Sequence, residues 1–522
     1  MENLSYPASN CRKYEFITAA SGDMVPAILD PMGNSFPLHS TVNPRREAER
    51  LIGTLENEGF LVFFGLGGAF YIDAALKREK TSQILLIDFD QSSISGLINQ
   101  INNAELFNDP RLTLLLDPDE KDIQERIISL YKPAIHGGIR LIPLRARTNI
   151  DRDLFNNAAS IVNKAIEAVS SDFSVQAHFG KRWQSNIIHN LKKAASCKGE
   201  LPQLITSRKK AAVCAAGPSL DKQLHRLKER ECFIISTDTS LGTLLDAGIK
   251  PDAVISIDCQ HIGYYHFMKG FPEDTYLFLD LVSPPSMSSL SEKTIFFSGN
   301  HPMARYVSAH LIQLPEVDIS GGNVTYAAIS LAEQLGAEEI ELYGADFSFP
   351  NGISYARGTY IYPYFEKKQN RFQSLECQAS HFLYRTELKK IDKNDSWYYE
   401  SPILKFYREK LEEKIMNMEA KLIPAEGEGA KIKTKETPYK NIQDRETYSY
   451  GKIKTSIDDF LISYKDRIKN SGHEEDLLTT LLPLAAYYRA RNNEASFKEI
   501  HEEAVNYSIK KINSIIDNKI DN

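Results

Sequence analysis

Two short turns hold the residues of this chain best suited to handling phosphate. Gly217-Pro218-Ser219-Leu220-Asp221 follows the apolar run Ala211-Ala212-Val213-Cys214-Ala215-Ala216. Ser320-Gly321-Gly322-Asn323-Val324 precedes a helical stretch that leads into Ile340-Glu341-Leu342-Tyr343-Gly344-Ala345-Asp346. In the first turn Gly217 lets the backbone bend sharply and Pro218 fixes φ at a helix start. The amides of Ser219 and Leu220, with the Ser219 hydroxyl, can then donate to a phosphate. The plainer alternative is a helix start with Ser219 as its cap. In the second turn adjacent glycines let a ligand approach the backbone, and Ser320, Asn323 and Thr325 add polar groups; the alternative is a tight turn.

Acids end the strands between these turns. Phe233-Ile234-Ile235-Ser236 runs into Thr237 and Asp238, where Asp238 can accept from a ribose or base, hold a metal, or cap the next helix. Ile255-Ser256-Ile257 runs into Asp258, with His261 three residues on, a pairing suited to general-base or metal work unless it is a solvated turn. Asp346 ends the last strand. Three acids and two glycine turns are therefore expected on one strand edge. The aromatic run from Tyr355 to Phe365 is either a mobile lid, with Arg357 reaching an anion, or a packing surface for the C-terminal helices.

An earlier turn has a similar look. Gly65-Leu66-Gly67-Gly68-Ala69-Phe70 follows the strand-like Gly59–Phe64, although Phe70 stands where a third glycine belongs. Asp88 closes the next strand at roughly the spacing of a ribose-binding acid. Either a dinucleotide or S-adenosylmethionine binds there, or the domain is a scaffold that keeps only the pattern.

These turns need a parallel sheet behind them, and the chain supplies two series of strands alternating with helices. The predicted fold class is α/β, with two Rossmann-like doubly wound domains and a mainly helical C-terminal region. The expected divisions are an N-terminal domain over 1–150, a helical connector over 151–206, a central α/β domain over 207–365, and a helical C-terminal domain over 366–522. At 522 residues several cores are expected. A net charge of -7 offers no basic excess for nucleic acid. Cys11, Cys197, Cys214, Cys232, Cys259 and Cys377 form no CxxC pair and read as free thiols in a reducing compartment. No leader pattern or membrane-span-length apolar run is evident, so the expected location is cytoplasmic.

Taken in order, these motifs resemble the motility accessory factor (Maf) family of bacterial flagellin glycosyltransferases. Their central domain is shared with the archaeal-type 6-hydroxymethylpterin pyrophosphokinases (MptE-like). The resemblance rests on Gly217–Asp221, Pro251–Asp258, Ser320–Val324 with Gly344-Ala345-Asp346, Gly65–Gly68, and the pattern Trp183, Asn186, Asn190. The central domain is also similar to bacterial sialyltransferases that use CMP-sugars. The resemblance implies a CMP-activated nonulosonic acid of pseudaminic or legionaminic type as donor and Ser or Thr hydroxyls of flagellin as acceptor. Gly217, Pro218, Ser219, Thr237, Asp238, Ser320, Gly321, Gly322 and Asn323 would surround the nucleotide. The sialyltransferases use a histidine after the final strand as base. This chain has none between Asp346 and His381, which leaves Asp258, His261 or Asp346 for that role unless His381 folds back. Beyond the donor no cofactor is implied, and the metal ligands, Mg²⁺ included, stay open. Two other readings are a pyrophosphokinase-like enzyme using ATP and Mg²⁺ through Asp238, Asp258 and Asp346, and a non-catalytic flagellin-binding assembly factor.

Overall fold

The computed structural model describes residues 13–29, 32–101, 104–196, 209–229, 231–393, 396–435, 451–470 and 474–517. Cys11, Cys197 and the expected domain start near Ser207 lie outside them. The chain divides into two compact units, one of Met1–Lys181 with Leu482–Asn506 and one of Arg182–Leu481 with Tyr507–Asn522.

The first unit opens with a small antiparallel sheet of β1 (Tyr14–Thr18), β2 (Met24–Leu29) and β3 (Ser35–Pro37). Its main sheet is built from β4 (Glu58–Phe64), β5 (Gln83–Asp88), β6 (Leu112–Leu116) and β7 (Gly138–Pro143), all parallel, in the order β6-β5-β4-β7. Helices α1 (Pro44–Ile52), α2 (Phe70–Leu76), α3 (Gln91–Gln100) and α4 (Glu120–Leu130) surround it, with the short α5 (Pro133–His136) and α6 (Arg145–Thr148) at its ends. The 45-residue α7 (Arg152–Ser196) is one continuous helix.

The central strands are apolar at every position because both sheet faces are covered. Phe60, Val62, Phe64, Leu85 and Ile87 pack with Ile123 and Ile127 of α4 and Phe155, Ala158 and Val162 of α7. Their alternates Leu61, Phe63, Ile84 and Leu86 pack with Ile52, Ile72, Ala75, Ile94 and Leu97 of α1–α3. Each such side chain contributes about 1.5–3 kcal/mol by leaving water, which holds helices on both faces.

The second unit is built on seven parallel strands: β8 (Lys210–Cys214), β9 (Phe233–Thr237), β10 (Ala253–Ser256), β11 (Tyr276–Asp280), β12 (Thr294–Phe297), β13 (Glu339–Tyr343) and a later strand described below. From β8 the chain steps outward strand by strand to β12, then returns to the far side of β8 as β13. The order reverses between β8 and β13, which makes that junction the topological switch point, where open α/β sheets usually bind ligands. Helices α8 (Leu220–Lys228) and α9 (Asp238–Asp246) start at the carboxyl edge after β8 and β9. After α10 (Pro302–His310), α11 (Val324–Gln334) starts at the same edge and leads back into β13.

Beyond β13 come β14 (Phe349–Pro350), α12 (Ile361–Lys368), α13 (Leu375–Leu383), β15 (Lys389–Lys393), β16 (Ser396–Glu400), α14 (Pro402–Asn417) and β17 (Lys421–Pro424). α15 (Ile457–Asn470), α16 (Glu475–Arg489) and α17 (Phe497–Asp517) follow. The region is mainly helical, with three strands that the sequence reading did not foresee. β15 and β16 join β14 in a small antiparallel sheet, and β17 pairs with β13 as the seventh strand of the main sheet. On α14, Leu411 and Ile415 are buried while Ile403 and Phe406 face outward.

Candidate functional site

At the switch point of the second unit the first phosphate-friendly turn is closed by its own chain. The Ser219 amide donates to Asp346 Oδ2 at 2.9 Å and its hydroxyl to Asp346 Oδ1 at 2.5 Å. The Leu220 amide donates to the Gly217 carbonyl at 3.0 Å. From beyond β17, the Glu428 amide donates to Ser219 Oγ at 2.9 Å and the Ala430 amide to the Asp346 carbonyl at 2.9 Å. Gly217 is needed for this closeness, since a methyl there would run into Asp346 Oδ2 and the Gly344 carbonyl. Burial pushes the Asp346 carboxyl up, opposed by the Ser219 hydroxyl and amide and by Gly429. The donors expected to meet a phosphate are therefore spent on Asp346 and the Gly217 carbonyl, and Asp346 is a buried clamp rather than a free base. Pro218, beside them, is half-buried.

One strand over, the edge is open. Thr237 caps α9 by accepting from the Ser240 amide at 3.3 Å, and its hydroxyl donates to the Cys214 carbonyl, so it braces the turn. Asp238, not the cap itself, begins the helix. Its Oδ1 accepts from the Thr239 amide at 2.6 Å and its Oδ2 from Ser256 Oγ at 2.7 Å. Asp258 is half-buried just past β10 and accepts from the Gln260 amide at 2.8 Å. Burial raises its carboxyl, Asp238 adds to the rise, and His266 and Arg182 work against it. The two acids thus act on each other, as expected from their places at adjacent strand ends.

The short 3₁₀ helix His261–Phe267 departs from the expectation. His261 points outward and is exposed, whereas His266 lies within the electrostatic reach of Asp258. The His266 ring meets Tyr360 edge-on at 4.5 Å. The Tyr360 phenol is pushed up to about 12 by burial and by Tyr355, Asp238, Tyr364 and Asp258. Burial also raises Tyr355, and Arg385 pulls it back. Tyr355 packs on Phe382 of α13 at 6.0 Å. The aromatic run therefore packs on a C-terminal helix, the second of the two readings, and places Tyr360 beside the acid pair. Arg357 is exposed, with its amide donating to Asp221 at 3.0 Å. His381 is exposed on α13, with Nε2 4.0 Å from Cys377 Sγ.

The second turn is the open one. Asn323 caps α11 through the Tyr326 amide at 3.0 Å and donates to the Gly321 carbonyl at 3.1 Å. Gly321 must be glycine because the Tyr326 ring lies against it, and Gly322 adopts φ +72°. Ser320 and Gly322 are exposed, ahead of the helix N-terminus at Val324 and Thr325. A cleft of about 1010 Å³ runs past Asp318 and Tyr326 to Ser298, Asn300 and Lys414. Tyr407 stands 3.1 Å from the place of a Gly322 methyl and acts electrostatically on Tyr355, which ties this turn to the acid–tyrosine cluster. The turn offers amide dipoles to an anion; the cluster offers carboxylates, an imidazole and phenols.

Two features have roles that the sequence reading did not foresee. Asn186 Nδ2 on α7 donates to the carbonyls of Cys259 and Val282 at 3.2 and 2.8 Å, and Asn190 Nδ2 to those of Leu281 and Ser283 at 2.9 and 2.8 Å. One helix face thus fixes the loops after β10 and β11. Their separation by one helical turn was the available signal. The second is Asp280 at the end of β11, fully buried and pushed up to about 7 by that burial. Among the described residues no group of three or more His, Cys, Asp or Glu converges as a metal site; the trio Asp238, Asp258 and Asp346 belonged to the pyrophosphokinase alternative.

The first unit's glycine turn is filled. Asp88 accepts from the Leu66 amide at 2.8 Å and pairs with the fully buried Arg147 at 2.9 Å. The His39 ring accepts from the Gly68 amide at 2.9 Å, and burial lowers His39 to about 3, which keeps it neutral. A ribose has no carboxylate left to meet there, in line with the scaffold alternative.

Comparison with known proteins bears on the second unit first. Residues 185–352 match the family described as 6-hydroxymethylpterin diphosphokinase MptE-like. An uncharacterized protein of Treponema pallidum (strain Nichols) is 30% identical over 168 residues, which cover 32% of this chain and 80% of that one. This chain belongs to the MptE-like family. A second uncharacterized T. pallidum protein is 35% identical over 147 residues, 27% of this chain and 52% of its own length. The structure of the Maf glycosyltransferase from Magnetospirillum magneticum AMB-1 superposes with a TM-score of 0.56 over 99% of this chain and 93% of that one, at 14% identity. The MptE-like segment is thus embedded in a chain with the Maf fold. It begins within α7 and ends just after β14, so it holds both turns, all three acids and the asparagine pair. The loop that closes the switch point and the wall supplied by α13 lie outside it. No helix of the described residues is long and apolar enough to cross a membrane.

Proposed function

We propose that this protein is a glycosyltransferase that moves a nonulosonic acid from a CMP-sugar to Ser or Thr hydroxyls of flagellin. The observation that carries the reading is the open N-terminus of α11, with Ser320, Gly321, Gly322 and Asn323, set beside a cluster of Asp238, Asp258, His266 and Tyr360. When the sugar leaves CMP, negative charge grows on the phosphate oxygen, and amides at a helix start stabilise that charge without reorganising. Asp238, braced by Thr239 and Ser256, is positioned to accept from the nucleoside. The likeness of the whole fold to a Maf glycosyltransferase supports the same reading. A flagellin partner and a cytoplasmic place of action belong to this proposal.

Titration calorimetry with CMP tests it: wild type binds, and Asn323→Ala weakens binding about fivefold, equivalent to the roughly 1 kcal/mol typical of a lost cap. Absence of heat with CMP and with CMP-activated nonulosonic acids, together with unchanged flagellin mass in a deletion strain, would overturn it. The MptE-like match supports one rival, an ATP-dependent pterin pyrophosphokinase. That rival predicts Mg²⁺-dependent formation of AMP from ATP with 6-hydroxymethylpterin, which is directly assayable.

A further inference from the structure

The acceptor hydroxyl in such a transfer must lose a proton, and the residues expected to take it are unequally placed. Asp346 has both carboxylate oxygens engaged by Ser219. His261 and His381 point into solvent. His266 instead sits at the acid pair, half-buried, on the helical turn that leaves β10. Its Nδ1 is buried and finds no hydrogen-bond partner among the described residues. Tyr360 holds the ring edge-on at 4.5 Å, which limits its rotation, and Tyr360 stacks in turn with Tyr265 at 6.2 Å.

We infer that His266 is the general base of the transfer, with Tyr360 holding its ring and Asp258 as the nearby carboxylate that stabilises its charged form. The assignment rests on the glycosyltransferase reading above. In the step, the acceptor oxygen forms a bond to the anomeric carbon as the bond from that carbon to the CMP phosphate oxygen breaks. The bonding electron pair leaves with CMP, and the hydroxyl proton passes to the imidazole. A histidine can take and release a proton near neutral pH, and a nearby carboxylate favours the imidazolium that results. The charged groups acting on this corner are Asp258 beyond β10, Asp238 on α9 and Arg182 on α7, with the phenol of Tyr360 against the ring. The same helical turn exposes Ile262, Tyr264, Tyr265 and Met268, an apolar border against which a polypeptide acceptor can lie.

The test uses the full chain, CMP for binding, and CMP-pseudaminic and CMP-legionaminic acids with purified flagellin for transfer. His266→Gln is expected to lower transfer by about 100-fold or more while leaving the CMP dissociation constant within about threefold, with partial rescue by added imidazole. Transfer within threefold of wild type overturns the assignment alone. Failure of the wild type to bind CMP, or to transfer either sugar, overturns the underlying reading and this assignment with it. Should His266→Gln not fold, Asp258→Asn is decisive: removing the carboxylate must lower kcat for transfer by about tenfold or more while leaving the KM for the CMP-sugar within about threefold. An unchanged kcat overturns the pairing.

Discussion

The two units of this chain carry the same pattern and use it in opposite ways. Each has an apolar parallel strand, a glycine turn, a helix, and an acid at a strand end. In the first unit Asp88 is locked to Arg147 and His39 occupies the turn. In the second, the turn after β8 is closed by Asp346 and the Glu428 loop, while the edge at β9 and β10 and the turn before α11 stay open. Glycines and acids decide where a turn can form. Residues distant in sequence decide whether it is available to a ligand.

The contrast breaks most readily at Arg147. Its substitution by Ala leaves Asp88 charged and buried without its cation, which should cost about 3–5 kcal/mol. Chemical denaturation monitored on the first unit should show that loss, while NAD or S-adenosylmethionine should leave the wild-type melting temperature unchanged. A ligand-induced rise would mean the first unit's turn is not closed.

Next in size is Ser219→Ala. It removes the hydroxyl's bond to the buried Asp346 and the bond that hydroxyl accepts from the Glu428 amide, and should cost about 1–3 kcal/mol. If the turn after β8 is structural, stability falls and CMP affinity changes by less than about threefold, the reverse of Asn323→Ala. Equal loss of affinity in both variants would show that the first turn also faces the nucleotide.

Why the sequence reading succeeded in some places and not others follows from the same contrast. β4, β5 and β8–β13 were legible because strands buried on both faces read as unbroken apolar runs, and the turns were legible from Gly217 and Gly321-Gly322. Closure was not, because His39, Arg147 and Gly427–Gly429 reach their turns through tertiary contacts that leave no local signature. β17 was missed because four residues, one of them Pro424, carry too little pattern, and its strand identity comes from pairing with β13. His266 was passed over for His261 because spacing from Asp258 favoured the nearer histidine, whereas the 3₁₀ turn brings the farther one back. Asn186 and Asn190 were noticed as a pattern, but their carbonyl partners lie about a hundred residues away, beyond the reach of local reasoning.

A pH-dependent prediction compares the two fully buried carboxyls at strand ends, Asp88 and Asp280. Asp88 has a guanidinium; Asp280 has only backbone amides, of Val282, Gly299 and Leu281, and no cation pairs with it among the described residues. Burial holds Asp280 at about 7 in the folded chain, above the 3.8 expected of a free aspartate. The folded state therefore keeps a proton that the unfolded chain releases between those values. Its contribution to stability is complete below the lower value and is lost as pH rises toward 7, with little further change above. Asp280→Asn keeps the shape without the ionisation, so the variant should lose less stability than wild type between pH 4 and 7, with a difference of about 1 kcal/mol or more per unit of pH at steepest. Urea unfolding of both proteins at several pH values gives the two slopes. Parallel slopes would mean that Asp280 titrates as an ordinary carboxylate, and that the second unit, like the first, neutralises its buried acid.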